Sequence, residues 1–124
     1  MTAALVAVVD DDPGICSGLS SLLRSAGYRC EQFGDATSFL VSTADRWPDC
    51  VLTDIQMPGL SGVELLEVVK TRRPGIPVII MTAYPEEMVR ARSIAKGAAG
   101  FLAKPFNAGA VLGCIADALE SSDD

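Results

Sequence analysis

Short apolar segments alternate along the chain with longer segments whose apolar residues recur at the spacing of a helix. The short segments are rich in β-branched residues and contain few polar ones, which is typical of strands buried on both faces of a parallel sheet. Turn-forming glycine, proline and aspartate residues lie between them and the helical segments. Five strands are predicted in this way, at residues 4–9, 28–33, 50–53, 78–81 and 100–103.

The intervening segments carry the signals that start and stop helices. Ser61 and Glu64 have the spacing of a capping box, in which each side chain bonds the backbone of the other residue. Glycines follow two of the segments and are typical helix ends. The predicted helices run from Pro13 to Gly27, from the cap Asp35 to residue 44, from Ser61 to residue 72, from Pro85 as first helical residue to Gly97, and onward from the cap Asn107.

Strict alternation of strand and helix predicts an α/β fold with a parallel sheet and helices on both of its faces. The length of 124 residues fits one domain, which we place at residues 1–124. In open sheets of this kind the ligand site lies beyond the carboxyl ends of the strands. The residues that end the strands are therefore the first candidates for function.

The composition excludes several classes of function. The chain has 16 acidic and 10 basic residues, a net charge of −6, which disfavours direct binding of nucleic acid by this domain. It has no histidine, so neither a Ser-His-Asp triad nor a histidine-ligated metal can form within it. If phosphohistidine takes part in its chemistry, the histidine belongs to a partner.

The cysteines and the absence of a long apolar segment predict where the protein resides. Cys16, Cys30, Cys50 and Cys114 are far apart and match no metal-binding or redox spacing, so we expect buried free thiols in a reducing compartment. No apolar segment reaches the length of a membrane span, and residues 1–5 lack the features of a signal peptide. A cytoplasmic protein with no membrane contact is expected.

Polar side chains end four of the predicted strands. Because the carboxyl ends of parallel strands meet at one edge, we expect these side chains to converge. Clustered carboxylates need counter-charge, and oxygen ligands favour a hard ion such as Mg²⁺ or Mn²⁺. A carboxylate beside such an ion, a hydroxyl and an ammonium is a constellation suited to phosphoryl transfer. The residues concerned are the triplet 10–12, Asp54, Thr82 and Lys104.

Each of these residues also has an ordinary structural interpretation. The triplet 10–12 could cap the helix that follows Pro13. Asp54 could be a turn residue, Thr82 the plain end of a strand, and Lys104 a solvated surface amine. None of these interpretations explains why all four groups fall on one edge of the sheet.

The sequence resembles the receiver domains of two-component response regulators, whose fold is that of the chemotaxis response regulator. The resemblance covers nearly the whole chain in order, spacing and strand context. It implies the flavodoxin-like (βα)5 fold, with strand order 2-1-3-4-5. The matching motifs are V-V-D-D at residues 8–11, T-D-I-Q-M-P-G at 53–59, S-G at 61–62, T-A at 82–83 and F-L-A-K-P-F at 101–106.

The resemblance implies a role for each matching residue. Asp54 matches the aspartate that accepts a phosphoryl group. Asp10, Asp11, Asp54 and the backbone carbonyl of Gln56 match the groups that hold Mg²⁺, with Asp10 acting through water.

The remaining matches concern the response to phosphorylation. Thr82 and Lys104 match the hydroxyl and ammonium that contact the phosphoryl group, and the bond between Lys104 and Pro105 is expected to be cis. Phe101 matches an aromatic switch residue, although an ordinary core residue would look the same. Asp12 is left as a loop or cap residue. Cys16 stands where the family often has arginine, a departure expected to affect only a contact on the helix surface.

The function implied is a signalling switch rather than a turnover enzyme. A sensor histidine kinase or a phosphotransfer protein would donate the phosphoryl group. The surface of the fourth helix, fifth strand and fifth helix would then change and control an output or a homodimer. We expect transcription as the output, through a domain absent here. The alternative is a stand-alone receiver that serves as a phosphorelay or protein-interaction module.

Two other classes fit the sequence less well. Phosphohydrolases with an aspartate nucleophile need a second aspartate two residues later, and this chain has Gln56 there. A flavin-binding domain needs a phosphate-binding loop after the first strand, where residues 10–12 would repel phosphate.

Overall fold

The computed structural model describes residues 3–122 and has five strands alternating with five helices. The parallel sheet has the order β2-β1-β3-β4-β5, which confirms the predicted fold. The predicted domain also includes residues 1–2 and 123–124, which lie outside the described residues. The elements are β1 Leu5–Val9, α1 Pro13–Ser25, β2 Arg29–Phe33, α2 Ala36–Ser42, β3 Cys50–Asp54, α3 Gly62–Arg72, β4 Val78–Thr82, α4 Glu87–Ala95, β5 Gly100–Ala103 and α5 Ala108–Ser122.

The sheet separates two apolar clusters, and alternate residues of each strand point to opposite sides. Val6 and Val8 of β1 belong to the cluster under α1 and α5, whereas Ala7 and Val9 belong to the one under α2 and α3. Every residue of β1, β3 and β4 is buried, which explains their continuous apolar runs. The edge strands β2 and β5 are partly exposed.

Local capping sets most of the helix boundaries as predicted. Asp12 caps α1 by accepting hydrogen bonds from the amides of Gly14 and Ile15, at 2.8 and 3.3 Å. Ser61 and Glu64 form the predicted capping box of α3, at 3.0 and 3.2 Å. The second helix ends at Ser42 rather than at residue 44.

The predicted start of the fourth helix is wrong, because Pro85 lies outside it. The amide of Glu86 bonds the carbonyl of Tyr84 at 2.8 Å and closes a tight turn. Glu86 itself is extended, with φ −78° and ψ 141°, so α4 begins at Glu87. Ser93 is the one fully buried residue of α4, so few contacts fix this helix on the sheet.

No helix among residues 3–122 combines the length and the apolarity that a membrane span needs.

Candidate functional site

The carboxyl ends of the strands surround an acidic cleft of about 660 Å³. Asp10 and Asp11 follow β1, and Asp54 is the last residue of β3. Carboxylate oxygens of these three residues lie within 4.8 Å of one another. Asp10 and Asp54 are buried, whereas Asp11 is exposed. The parallel topology thus brings together acidic groups that are more than forty residues apart in sequence.

Lys104, directly after β5, supplies the positive charge of the cluster. Its ammonium Nζ lies 2.7 Å from Oδ2 of Asp10 and 3.3 Å from Oδ1 of Asp54. Burial lowers the pKa of Lys104, but the hydrogen bond and charge of Asp10, followed by those of Asp54, outweigh it, so that the pKa lies above its ordinary value. Lys104 therefore remains charged. The peptide bond between Lys104 and Pro105 is cis, as expected.

The carboxyl group of Asp54 has a raised pKa. Burial is the largest cause, the nearby charge of Asp10 adds to it, and Lys104 offsets part of both. Three carboxylates face one ammonium, so the cluster carries an excess of negative charge. An all-oxygen set of this charge fits a hard divalent cation, and the cleft is an acidic pocket of the kind that binds Mg²⁺.

Gln56 connects this cleft to a smaller cavity of about 160 Å³ and lines both. The smaller cavity is lined by Thr82 and Tyr84, and the Thr82 hydroxyl accepts a hydrogen bond from the Tyr84 amide at 3.0 Å. Thr82 is buried at the end of β4, beside the acidic cleft but not among the residues that line it. Thr82 thus lies next to the acidic cluster, and its hydroxyl takes part in a hydrogen bond within a local turn.

Phe101 and Asp12 lie at the margins of the site. Phe101 is half-buried in β5, aligned with Ile80, and packs on the cluster under α2 and α3. Asp12 lines the cleft, but its carboxylate caps α1, which confirms the interpretation as a cap.

Cys16 is a buried free thiol, as predicted, but the departure from the family's arginine affects more than the expected contact on the helix surface. Its side chain is 4% exposed and packs in the cluster under α1 and α5. Its Sγ lies 3.3 Å from the carbonyl oxygen of Asp10. The spacing of Cys16, Leu19 and Leu23, which with Ser20 are the buried residues of α1, places the thiol on the inner face of the helix.

Comparison with known proteins identifies the family. The family model for the response regulator receiver domain matches residues 6–116. The chain belongs to the response regulator receiver family. The identification from sequence motifs is therefore confirmed, and the receiver domain is a signalling switch of a two-component system.

The relatives of this receiver domain include regulators of transcription and other receiver domains. The DNA-binding transcriptional regulator NtrC of Salmonella typhimurium is 40% identical over 107 residues, which are 86% of this chain and 23% of NtrC. Transcriptional regulatory protein FixJ of Bradyrhizobium diazoefficiens is 34% identical over 122 residues, 98% of this chain and 60% of FixJ. The chain thus spans less than two thirds of either protein.

A solved structure with the same fold is a CheY-like response regulator receiver domain protein of Methanospirillum hungatei. Its TM-score to this receiver domain is 0.92 at 29% sequence identity, with 98% of each chain covered. The structural similarity therefore extends over nearly the whole chain.

The raised pKa of Asp54 predicts a dependence of stability on pH in metal-free protein. Native Asp54 binds its proton more tightly than the unfolded chain does, so the native state gains stability as pH falls from above the raised pKa toward the ordinary value of 3.8. Asp54→Asn removes the buried charge and should be more stable than the parent at neutral pH. Urea unfolding in chelator-treated buffer measures the difference, which should shrink on acidification. A difference that stays constant with pH would contradict the assignment.

Proposed function

We propose that Asp54 accepts a phosphoryl group from a phosphohistidine on a sensor histidine kinase or a phosphotransfer protein, in a reaction that needs Mg²⁺ or Mn²⁺. One observation carries the proposal: a buried carboxylate at the end of a central strand faces two further carboxylates and one ammonium in an open cleft. These 124 residues contain no histidine, which supports a phosphohistidine on a partner.

The proposed metal ligands are the carboxylates of Asp10, Asp11 and Asp54 and the backbone carbonyl of Gln56. Asp10 holds the ion through water, because its Oδ1 and Oδ2 already accept hydrogen bonds from the Asp12 amide and from Lys104. An ion held by these residues would supply positive charge to the oxygens of the transferring phosphoryl group, and would so lower the electrostatic barrier to attack by the Asp54 carboxylate.

In the transfer step an oxygen of the Asp54 carboxylate attacks phosphorus. The P–N bond of the phosphohistidine breaks, and its electron pair returns to the imidazole nitrogen, leaving an acyl phosphate on Asp54. Lys104 compensates the charge of the phosphoryl group, since it already lies 3.3 Å from Oδ1 of Asp54. Water later attacks the phosphorus of the acyl phosphate, which releases inorganic phosphate and restores the carboxylate. The domain thus promotes its own modification and its reversal, as a switch rather than a turnover enzyme.

Adduct formation tests this proposal directly. Incubation of the protein with Mg²⁺ and acetyl phosphate, a small acyl-phosphate donor, should raise the intact mass by one phosphoryl group. The adduct should be absent when a chelator removes the metal and should be cleaved by hydroxylamine, which attacks acyl phosphates. An adduct that resists hydroxylamine, or no adduct with any phosphodonor, would contradict the proposal.

The proposed response runs through Thr82 and Phe101. Contact with the phosphoryl group draws the Thr82 hydroxyl from the Tyr84 amide, to which it is bonded at 3.0 Å. The half-buried Phe101, on the neighbouring strand, can then move inward. Because α4 has a single fully buried side chain, Ser93, it is the helix least constrained against such a shift.

Beryllofluoride with Mg²⁺, a mimic of the phosphoryl group, should reveal this response by NMR. Amide shifts are expected at the acidic cleft and also along α4, β5 and α5, with smaller changes in α2. Shifts confined to the cleft would contradict the long-range switch.

Further proposals follow from the family. The surface of α4, β5 and α5, on which Met88 is 84% exposed, serves as the output or homodimer interface. The output is transcription through another domain, as the NtrC and FixJ names suggest, or else protein interaction by a stand-alone receiver. All four cysteines are free, which supports the cytoplasm as location. Residues 1–124 are assigned to one receiver domain.

A further inference from the structure

Asp10 is the most deeply buried acidic side chain of the cleft, at 1% exposed. Its amide donates to the carbonyl of Phe33 at 3.0 Å, and its Oδ1 accepts from the Asp12 amide at 2.9 Å. Its Oδ2 accepts from Lys104 at 2.7 Å. The remaining polar group, the backbone carbonyl, accepts from the thiol of Cys16 at 3.3 Å.

The side chain of Cys16, on α1, contacts the backbone at the ends of two strands. Its Sγ lies 3.9 Å from the carbonyl of Phe33, at the end of β2, besides its contact with Asp10 after β1. It also lines a cavity of about 290 Å³ together with Asp10 and Asp11. Burial, followed by the charge of Asp10, raises the pKa of the thiol, so the proton that it donates stays in place.

The carbonyl of Asp10 and the amide of Asp11 belong to one planar peptide group. A hydrogen bond that holds this carbonyl therefore also sets the direction in which the chain continues to Asp11. An apolar side chain at position 16 would fill the same space but leave a buried carbonyl with no donor, which favours rotation of the peptide. The thiol thus influences two carboxylates at once.

We propose that Cys16 is a positioning residue for the cation site: its thiol holds the peptide between Asp10 and Asp11 so that their carboxylates face Asp54. The inference rests on the proposed function, in which these carboxylates hold Mg²⁺. Cys16 touches neither the ion nor the phosphoryl group, and it acts through Asp10.

The test compares Mg²⁺ affinity, followed by NMR titration, in the parent protein and three variants. Cys16→Ala removes the donor and should weaken binding by about three- to tenfold, the range expected for one net hydrogen bond. Cys16→Ser keeps a donor and should remain within about twofold of the parent. Cys30→Ala is the matched control, because Cys30 is another buried thiol of the same apolar cluster, near Cys16, and it is not the donor to the Asp10 carbonyl. It should lose stability but not Mg²⁺ affinity.

A metal-free measurement accompanies the titration. The Asp12 amide, which donates to Oδ1 of Asp10, should exchange its hydrogen faster in Cys16→Ala than in Cys16→Ser or Cys30→Ala. Parent-like Mg²⁺ affinity in Cys16→Ala, or equal losses in the alanine and serine variants, would overturn the positioning role. If the parent protein itself bound no Mg²⁺, the proposed function would fail, and the exchange measurement would still decide the role of Cys16.

Discussion

Replacing Asp54 by asparagine is expected to abolish the phosphoryl adduct completely. Asparagine has nearly the shape of aspartate, so the fold is retained, but its amide is not a nucleophile toward phosphorus. Asp10 and Asp11 do not substitute for it in this scheme. Asp10 is 1% exposed and already bonded through both carboxylate oxygens. Asp11 is exposed in the cleft, and in the proposed scheme it would hold the metal. Intact mass after incubation with Mg²⁺ and acetyl phosphate measures the outcome.

Asp12→Asn is the matched control for this experiment. Asp12 also lines the acidic cleft, so both substitutions remove one negative charge from the same region. Its carboxylate, however, caps α1 through the amides of Gly14 and Ile15, and asparagine caps helices about as well. We expect the Asp12 variant to form the adduct like the parent. An adduct that persists in Asp54→Asn, or that disappears in Asp12→Asn alone, would show that another carboxylate is the acceptor.

The convergence of the acidic groups could be predicted from sequence because it depends on topology alone. Once alternating strands and helices indicate a parallel sheet, every strand must end at the same edge. Asp54 and Lys104 are then placed at the same edge, whatever the orientation of their side chains. The caps Asp12 and Ser61 were equally predictable, since a cap depends on contacts within a few residues.

The details within the cleft depend on side-chain placement, which sequence patterns do not contain. Lys104 lies closer to Asp10, at 2.7 Å, than to Asp54, at 3.3 Å. The Thr82 hydroxyl bonds a local amide instead of facing the carboxylates. These contacts depend on the side-chain rotamers and on the neighbouring atoms of the folded protein.

Two errors have specific physical origins. The departure at Cys16 was expected to affect only a surface contact because that expectation came from the arginine usual at this position, whereas the phase of α1 turns the thiol inward beside Leu19. The start of α4 was misplaced because proline favours the first turn of a helix in general. Here the turn closed by Glu86 and Tyr84 keeps Pro85 outside the helix, which begins at Glu87. Because α4 has only one fully buried residue, its sequence has no clear apolar periodicity from which the boundary could be predicted.

Gly62 is expected to be the glycine at which added bulk destabilises the receiver domain most. It opens α3 directly against the end of β3, and its amide donates to the carbonyl of Ile55 at 3.0 Å. A methyl group on its Cα would overlap the carbonyl oxygen of Asp54 and lie 2.8 Å from the Cα of Ile55. Because both neighbours are backbone atoms, neither can rotate away. Gly62→Ala should therefore lower the free energy of unfolding by about 3 kcal/mol, as overpacking of a well-packed core does.

Gly18→Ala is the control variant, and we expect it to raise the free energy of unfolding instead of lowering it. Gly18 lies inside α1, and a methyl group there would meet no atom within 4 Å. Alanine restricts the unfolded chain more than glycine does, so this variant should gain about 0.5–1 kcal/mol. Urea unfolding of both variants in metal-free buffer measures the two changes. A Gly62→Ala protein as stable as the parent would mean that the first turn of α3 can withdraw from β3. In that case the backbone that carries Asp54 would be held less firmly than the contacts of Gly62 indicate.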